Sequence, residues 1–196
     1  MTASLSRTLN GLGLLALSLV LIAAFADQLL LGELPCPLCL LQRVGFVGCA
    51  FGLALNVKFG PRPSHYAVTI LSACFGGAVS ARQILGHIVP GTGTYGSAVL
   101  GLHYYTWALI VFAAIVLGCA LMLLLDRQFE GAQAGQGAMT ASARPRAATF
   151  GLAMLALAAF LALANGVSTV LECGGGLCPD NPVVYELLPG ISKPKP

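Results

Sequence analysis

Apolar residues fall into five runs along the chain, at about residues 9–31, 38–57, 66–89, 102–125 and 148–171, and polar residues are confined mostly to the short intervals between them. Each run is close to the roughly 20 residues that an α-helix needs to cross a bilayer. Helices are predicted rather than strands, because the runs are too long for strands and every backbone N–H and C=O within lipid must be satisfied internally. The second run is the least regular. Its clean apolar core spans only Val44 to Val57, preceded by Arg43 and the stretch Cys36-Pro37-Leu38-Cys39, so its first turn is expected at the membrane interface.

Composition strengthens this reading. Hydrophobic residues make up 57% of the 196 and charged residues 9%, with a mean hydropathy of +0.86. A soluble domain of this size has too little interior to hide so much apolar surface, so the expected fold is an all-α polytopic membrane helix bundle with the lipid bilayer as its main solvent. The formal net charge of +3 is spread over short loops, which excludes the basic patch that nucleic-acid binding requires. No repeat divides the chain, and residues 1–196 read as a single membrane domain.

Charge placement gives an orientation. Arg7, Lys58, Arg62, Arg127, Arg144 and Arg146 fall on one side of the alternating loops, whereas Arg43 and Arg82 lie at helix edges and Lys193 and Lys195 far out on the tail. The positive side is cytoplasmic, so the expected N-terminus is cytoplasmic and the C-terminus lies outside. The segment from Arg127 to Arg146, rich in Gly, Ala and Gln, reads as a flexible connector. Arg7, an apolar run and Ala24-Phe25-Ala26 resemble a signal peptide with its cleavage site, but the run continues through Leu31 and a retained helix is the preferred reading.

Five crossings put Cys36, Cys39, Cys173 and Cys178 on one face, and Cys49, Cys74 and Cys119 inside helices, where cysteine behaves as a small hydrophobe. Pro37 suits a first helical turn, which puts the Cys36/Cys39 pair at a helix N-terminus, where unpaired N–H groups favour a thiolate. Arg43 follows Cys39 by four residues, one turn deeper on the same face. A guanidinium at that depth needs an anion, a carbonyl or a water-lined pocket, unless it snorkels to the headgroups. Redox exchange, a structural bridge and a four-thiolate metal site all remain open for this motif, although an oxidising compartment favours disulfides over metal.

Cys173-Gly-Gly-Gly-Leu-Cys178 closes a small loop in which glycines with positive φ would fold the backbone tightly and leave the sulfurs accessible, either as an exchangeable bridge or as a static clip. Val183 to Leu188 would return to the membrane surface or present an extended segment to a partner. Arg82, Gln83 and His87, at the outer end of the third run, are candidates for a polar pocket with Arg43. His103, Tyr104, Tyr105 and Trp107 read instead as an interfacial aromatic belt.

The stretch Leu34-Pro35-Cys36-Pro37-Leu38-Cys39-Leu40-Leu41-Gln42-Arg43 resembles the first periplasmic loop and second helix of the DsbB family, and Ser80-Ala81-Arg82-Gln83 is similar to that family's quinone-side segment. The resemblance covers roughly residues 9–125 and implies a four-helix core, to which this chain adds a fifth helix, in a bacterial inner membrane with the C-terminus periplasmic. It implies further that Cys36 and Cys39 pass electrons to ubiquinone or menaquinone beside Arg43. A second cysteine pair would then be reduced by a DsbA-like periplasmic thiol oxidase, in the relay that keeps the periplasm oxidising. In the family pattern that second pair lies between helices three and four, but residues 90–101 contain no cysteine, and Cys173 and Cys178 follow the extra helix instead. The expected catalytic residues are therefore Cys36, Cys39, Cys173 and Cys178, with Arg43, Arg82, Gln83 and His87 toward the quinone and no metal. An extracytoplasmic metal-binding protein using the four outer thiolates is the competing reading.

Overall fold

The computed structural model describes residues 1–89, 91, 98–129, 145–180 and 182–188. Its elements are α1 (Ala3–Ala26) running into a π-helical turn (Asp27–Leu31), α2 (Pro37–Phe59), α3 (Pro63–Gly86), β1 (Ala98–Val99), β2 (Leu102–His103), α4 (Tyr104–Leu123) and α5 (Pro145–Cys173). Among the described residues five helices are long and apolar enough to cross a membrane, so the chain is an all-α polytopic membrane bundle.

The five apolar runs and five helices correspond, but their ends differ in ways that matter for the site. Pro63 starts α3 at its first turn, three residues before the predicted start, and α3 stops at Gly86, with His87 as its C-cap. α5 extends to Cys173, two residues beyond its predicted end, so Glu172 belongs to the helix. Ahead of α4 lies a two-residue antiparallel pairing, Ala98 with His103 and Val99 with Leu102, too short to register as a strand pattern in sequence. The connector predicted between Arg127 and Arg146 falls almost wholly outside the described residues, as do Arg144, Lys193 and Lys195; of Arg146 only the helical backbone is described.

Helix α2 is the hub, packing on α1, α3 and α5, while α4 packs on α3. Lipid gives no hydrophobic drive to helix association, so close contact depends on small residues at the interface. Gly45, Gly48 and Gly52 supply them on α2. A Cβ at Gly45 would stand 2.9 Å from Gly76 Cα, and one at Gly48 would stand 2.9 Å from Ser72 Cβ. Phe46 and Phe112 stack across this junction with ring centroids 4.1 Å apart. The segment that resembled a signal peptide is a helix whose Leu14, Leu17 and Leu21 are buried in the core cluster. Leu29, Leu30 and Leu31 of the π turn point outward instead, as lipid-facing residues do.

At the end of the bundle opposite the disulfides, a polar network ties four segments together. Asn10 Nδ2 donates to Tyr66 Oη at 2.8 Å, Asn56 Nδ2 to Asn10 Oδ1 at 2.9 Å, and Ser6 Oγ to Gln128 Oε1 at 2.7 Å. All five residues are buried. Because each polar group is satisfied, the network fixes the mutual register of α1, α2, α3 and the residues after α4 without an orphaned dipole. Arg7, Lys58, Arg62 and Arg127 lie at this same end, at the start of α1, the end of α2, the start of α3 and just after α4.

Candidate functional site

At the other end, Cys36 caps α2 and Pro37 forms its first turn. Pro37 has no N–H to leave unsatisfied, so the helix starts cleanly behind the cysteine. Cys36 and Cys39 form a disulfide with Cα atoms 4.9 Å apart. The two sulfurs are not equivalent. Cys36 is 4% exposed, and its Sγ accepts the Cys39 N–H at 3.1 Å and the Gln83 Nε2–H at 3.3 Å. Gln83 is itself held by Gln42, whose Nε2 donates to Gln83 Oε1 at 2.8 Å. Two donors aimed at one sulfur, added to the positive end of the helix dipole, stabilise that sulfur as a thiolate when the bridge opens.

Cys39 is half-buried and lines a cavity of about 410 Å³. The cavity lies where α1 and α4 stand apart, each packed on its own neighbour in the bundle. Its walls are mainly apolar, with Phe46 and Val111 among them and Tyr104, Tyr105 and Trp107 along α4; Arg43 and Gln42 line the α2 side, and Asp27 and Glu33 are also in the lining. A few polar groups converging in an apolar cleft is the usual form of a small-molecule site, and the volume falls within the usual span of about 300–1,000 Å³.

Arg43 finds the partners that its depth demands within the protein. Nη1 donates to Gln28 Oε1 at 2.7 Å and Nη2 to the Ala24 carbonyl at 2.8 Å, and the guanidinium carbon lies 5.3 Å from the centre of the Phe25 ring. It is thus anchored to the last turns of α1 and does not rely on a ligand or the headgroups for its hydrogen bonds. Its remaining donors and its position in the cavity wall leave it able to engage a carbonyl oxygen.

The other expected ring-side residues separate. Gln83 is buried but serves the disulfide sulfurs, with Cys39 Sγ at 3.7 Å. His87 Nδ1 sits 2.8 Å from the Gln83 carbonyl and its ring stacks on Tyr105 at 5.6 Å, which puts it one residue behind the cavity wall. Arg82 is exposed and does not line the cavity. The aromatic residues of α4, read from sequence as an interfacial belt, supply much of the wall. Trp107 Nε1 donates to the Val99 carbonyl at 2.9 Å, so the small hairpin holds its ring in place. Only the aromatic clustering at the start of α4 hinted at this, and it fits a belt equally well.

The second pair is also bridged, Cys173 to Cys178, with Cα atoms 4.5 Å apart. Gly174 and Gly175 take φ of +62° and +77°, the left-handed conformation that lets the loop turn back at once. Only one of its sulfurs matches the expected accessibility: Cys173, inside the end of α5, is buried, whereas Cys178 is half-exposed beside a fully exposed Leu177. The tail beyond folds back on α5, with Glu186 N–H donating to the Glu172 carbonyl at 3.3 Å and Leu187 N–H to the Leu171 carbonyl at 3.1 Å. Gln28, which holds Arg43, donates through Nε2 to Ser168 Oγ on α5 and to Tyr185 Oη in the tail, both at 2.8 Å. Both disulfides therefore sit at one end of the bundle. Of the remaining cysteines, Cys49 and Cys119 are buried and Cys74 is exposed on the bundle's flank. Among the described residues no cluster of three or more His, Cys, Asp or Glu side chains could hold a metal ion.

Comparison with known proteins follows the same division of the chain. Residues 6–94 match the family model for disulfide bond formation protein DsbB. The relatives found include "Disulfide bond formation protein B" of Xanthomonas euvesicatoria pv. vesicatoria, 34% identical over 84 residues, or 40% of this chain and 49% of the relative. The protein of the same name from Marinobacter nauticus is 39% identical over 83 residues, with the same shares of both chains. The chain thus spans about half the length of the curated relatives it matches, and no solved structure matches it. The matched region holds α1 to α3, the Cys36–Cys39 bridge, Arg43 and Gln83, and it is over those residues, 6–94, that the chain is similar to the DsbB family.

Proposed function

We propose that this protein is a quinone-linked thiol–disulfide oxidoreductase that makes disulfide bonds by reoxidising a DsbA-like thioredoxin-fold partner. The observation that carries this reading is the convergence of Cys39 and Arg43 on one apolar, aromatic-walled cavity of about 410 Å³. The cavity residues fit a quinone: flat apolar walls suit its ring, and Arg43 offers N–H donors to a ring carbonyl. Ubiquinone or menaquinone, when bound, supplies a two-electron acceptor beside Cys39.

The chain's own residues then divide the work. The half-exposed Cys178 is the sulfur that an incoming partner thiolate can attack, opening the Cys173–Cys178 bridge and leaving the partner oxidised after a second exchange. The tail dithiol reduces Cys36–Cys39 in the same way. The Cys36 and Cys39 thiols finally give up two electrons and two protons as their S–S bond re-forms. Through this last step Gln83 and the α2 N-terminus hold negative charge on Cys36, while Arg43 balances charge that develops at the cavity. Cys36 is 4% exposed, so a tail thiolate reaches it only when the outer loop or the tail moves aside. The end bearing both bridges is the periplasmic one, a reading supported by the arginines and lysine at the opposite end.

The competing metal reading has no comparable support, since the four outer cysteines are paired as two bridges. The test is purified full-length protein assayed with a short-chain quinone and a reduced thioredoxin-fold dithiol protein. One quinol should form per partner disulfide, and Cys36→Ser or Cys39→Ser should abolish the reaction. Wild-type protein that reduces no quinone under these conditions would refute the function.

A further inference from the structure

Gln28, in the π turn after α1, is 3% exposed, and its amide oxygen and both amide N–H groups are engaged by three different segments. Arg43 Nη1 on α2 donates to Oε1 at 2.7 Å, while Nε2 donates to Ser168 Oγ on α5 and to Tyr185 Oη in the tail, both at 2.8 Å. Chemistry fixes the orientation of this amide, because a guanidinium only donates and must face the carbonyl oxygen. The two N–H groups therefore point at α5 and the tail, and the two hydroxyls accept.

Arg43 has stronger partners within the same cavity wall. Asp27 and Glu33 also line it, and a carboxylate binds a guanidinium more tightly than a neutral carbonyl does. The hydrogen bonds that fix Arg43 nevertheless run to the Gln28 amide and the Ala24 carbonyl. Such a neutral anchor leaves the remaining donors for a ring carbonyl, but it holds only as firmly as the amide itself is held.

Resting on the quinone reading of the cavity, we propose that Tyr185 is a positioning residue for Arg43. The seated tail locks the Gln28 amide, and the amide keeps the guanidinium set for a ring carbonyl instead of turning to Asp27 or Glu33. Two backbone bonds seat the tail on the end of α5, from Glu186 N–H to the Glu172 carbonyl and from Leu187 N–H to the Leu171 carbonyl, beside the Cys173–Cys178 loop. Lifting the tail toward Cys36–Cys39 takes Tyr185 from Gln28 and loosens the grip on Arg43. Ring binding is thus tightest while the tail is down, and delivery of electrons from the tail alternates with it. Ser168 and Tyr185 both lie beyond the family match at residues 6–94.

Trp107, the chain's single tryptophan, lines the cavity and reports binding through its fluorescence. The probe is a short-chain benzoquinone titrated into the full chain, both bridges oxidised, in detergent micelles. Tyr185→Phe keeps the ring but leaves a buried N–H of Gln28 unpaired, and should weaken binding about fivefold. In an Arg43→Met background the same change should have no further effect, whereas a substitution that merely loosened the fold would weaken binding in both backgrounds. Gln28→Glu, whose carboxylate grips Arg43 by charge without help from the tail, should likewise make binding indifferent to Tyr185→Phe. Wild-type affinity in Tyr185→Phe, or a loss that persists in both backgrounds, overturns the proposal. Wild-type Trp107 that does not respond to the quinone is a separate outcome: the quinone reading of the cavity then fails, and the positioning role falls with it.

Discussion

The unequal surroundings of two adjacent sulfurs decide how the first cysteine pair would work. Cys36 receives two hydrogen bonds and is buried; Cys39 receives the weaker approach of Gln83 and opens on the cavity. Hydrogen bonds to a charged group contribute about 1.5–3 kcal/mol, so Gln83→Leu should slow reoxidation of the Cys36–Cys39 dithiol by roughly tenfold or more. The measurement is single-turnover quinone reduction by pre-reduced protein, and an unaltered rate would remove Gln83 from the thiolate's support. Sequence made the cysteines, Pro37 and Arg43 legible because their spacing alone places them at one helix start. It did not reveal what Gln28 and Tyr185 do, because those roles arise from contacts between α1, α2, α5 and the tail that no local pattern encodes.

At the scale of the element, hydrophobic run length was sufficient to find all five helices, and it failed only where an end is set by something other than hydropathy. The first run ends in a π turn that carries Gln28 inward and Leu29–Leu31 outward. Such a wide turn adds a residue within otherwise helical spacing and leaves no compositional mark. The last helix ends late because Glu172, a charged residue, is buried. Helix association was equally hidden, since glycines in an apolar run read as neutral until their neighbours are known. Gly76 sits under the Phe112 ring and beside Gly45. Gly76→Val should therefore force α4 and its Phe112 ring away from α3 and cost on the order of 1–3 kcal/mol, the usual penalty of overpacking. Thermal melting in detergent checks this, and a wild-type melting temperature would show that the junction tolerates the added bulk.

For the whole molecule, what stands out is that the second cysteine pair is mounted outside the region that matches the family model. The matched region, residues 6–94, contains one bridge; the other is carried by a helix that packs on α1 and α2 and by a tail strapped to Gln28. Each bridge alone is compatible with a static staple. A relay requires that the outer pair feed the inner one and that the inner one empty into the membrane.

Thiol alkylation in intact membranes tests this most directly. Both pairs should be trapped oxidised during quinone turnover and both reduced after quinone depletion, whereas a Cys173→Ser/Cys178→Ser variant should keep Cys36–Cys39 oxidised even without quinone, because no electrons arrive. Bridges that stay oxidised in the wild-type protein whatever the quinone supply would contradict the account.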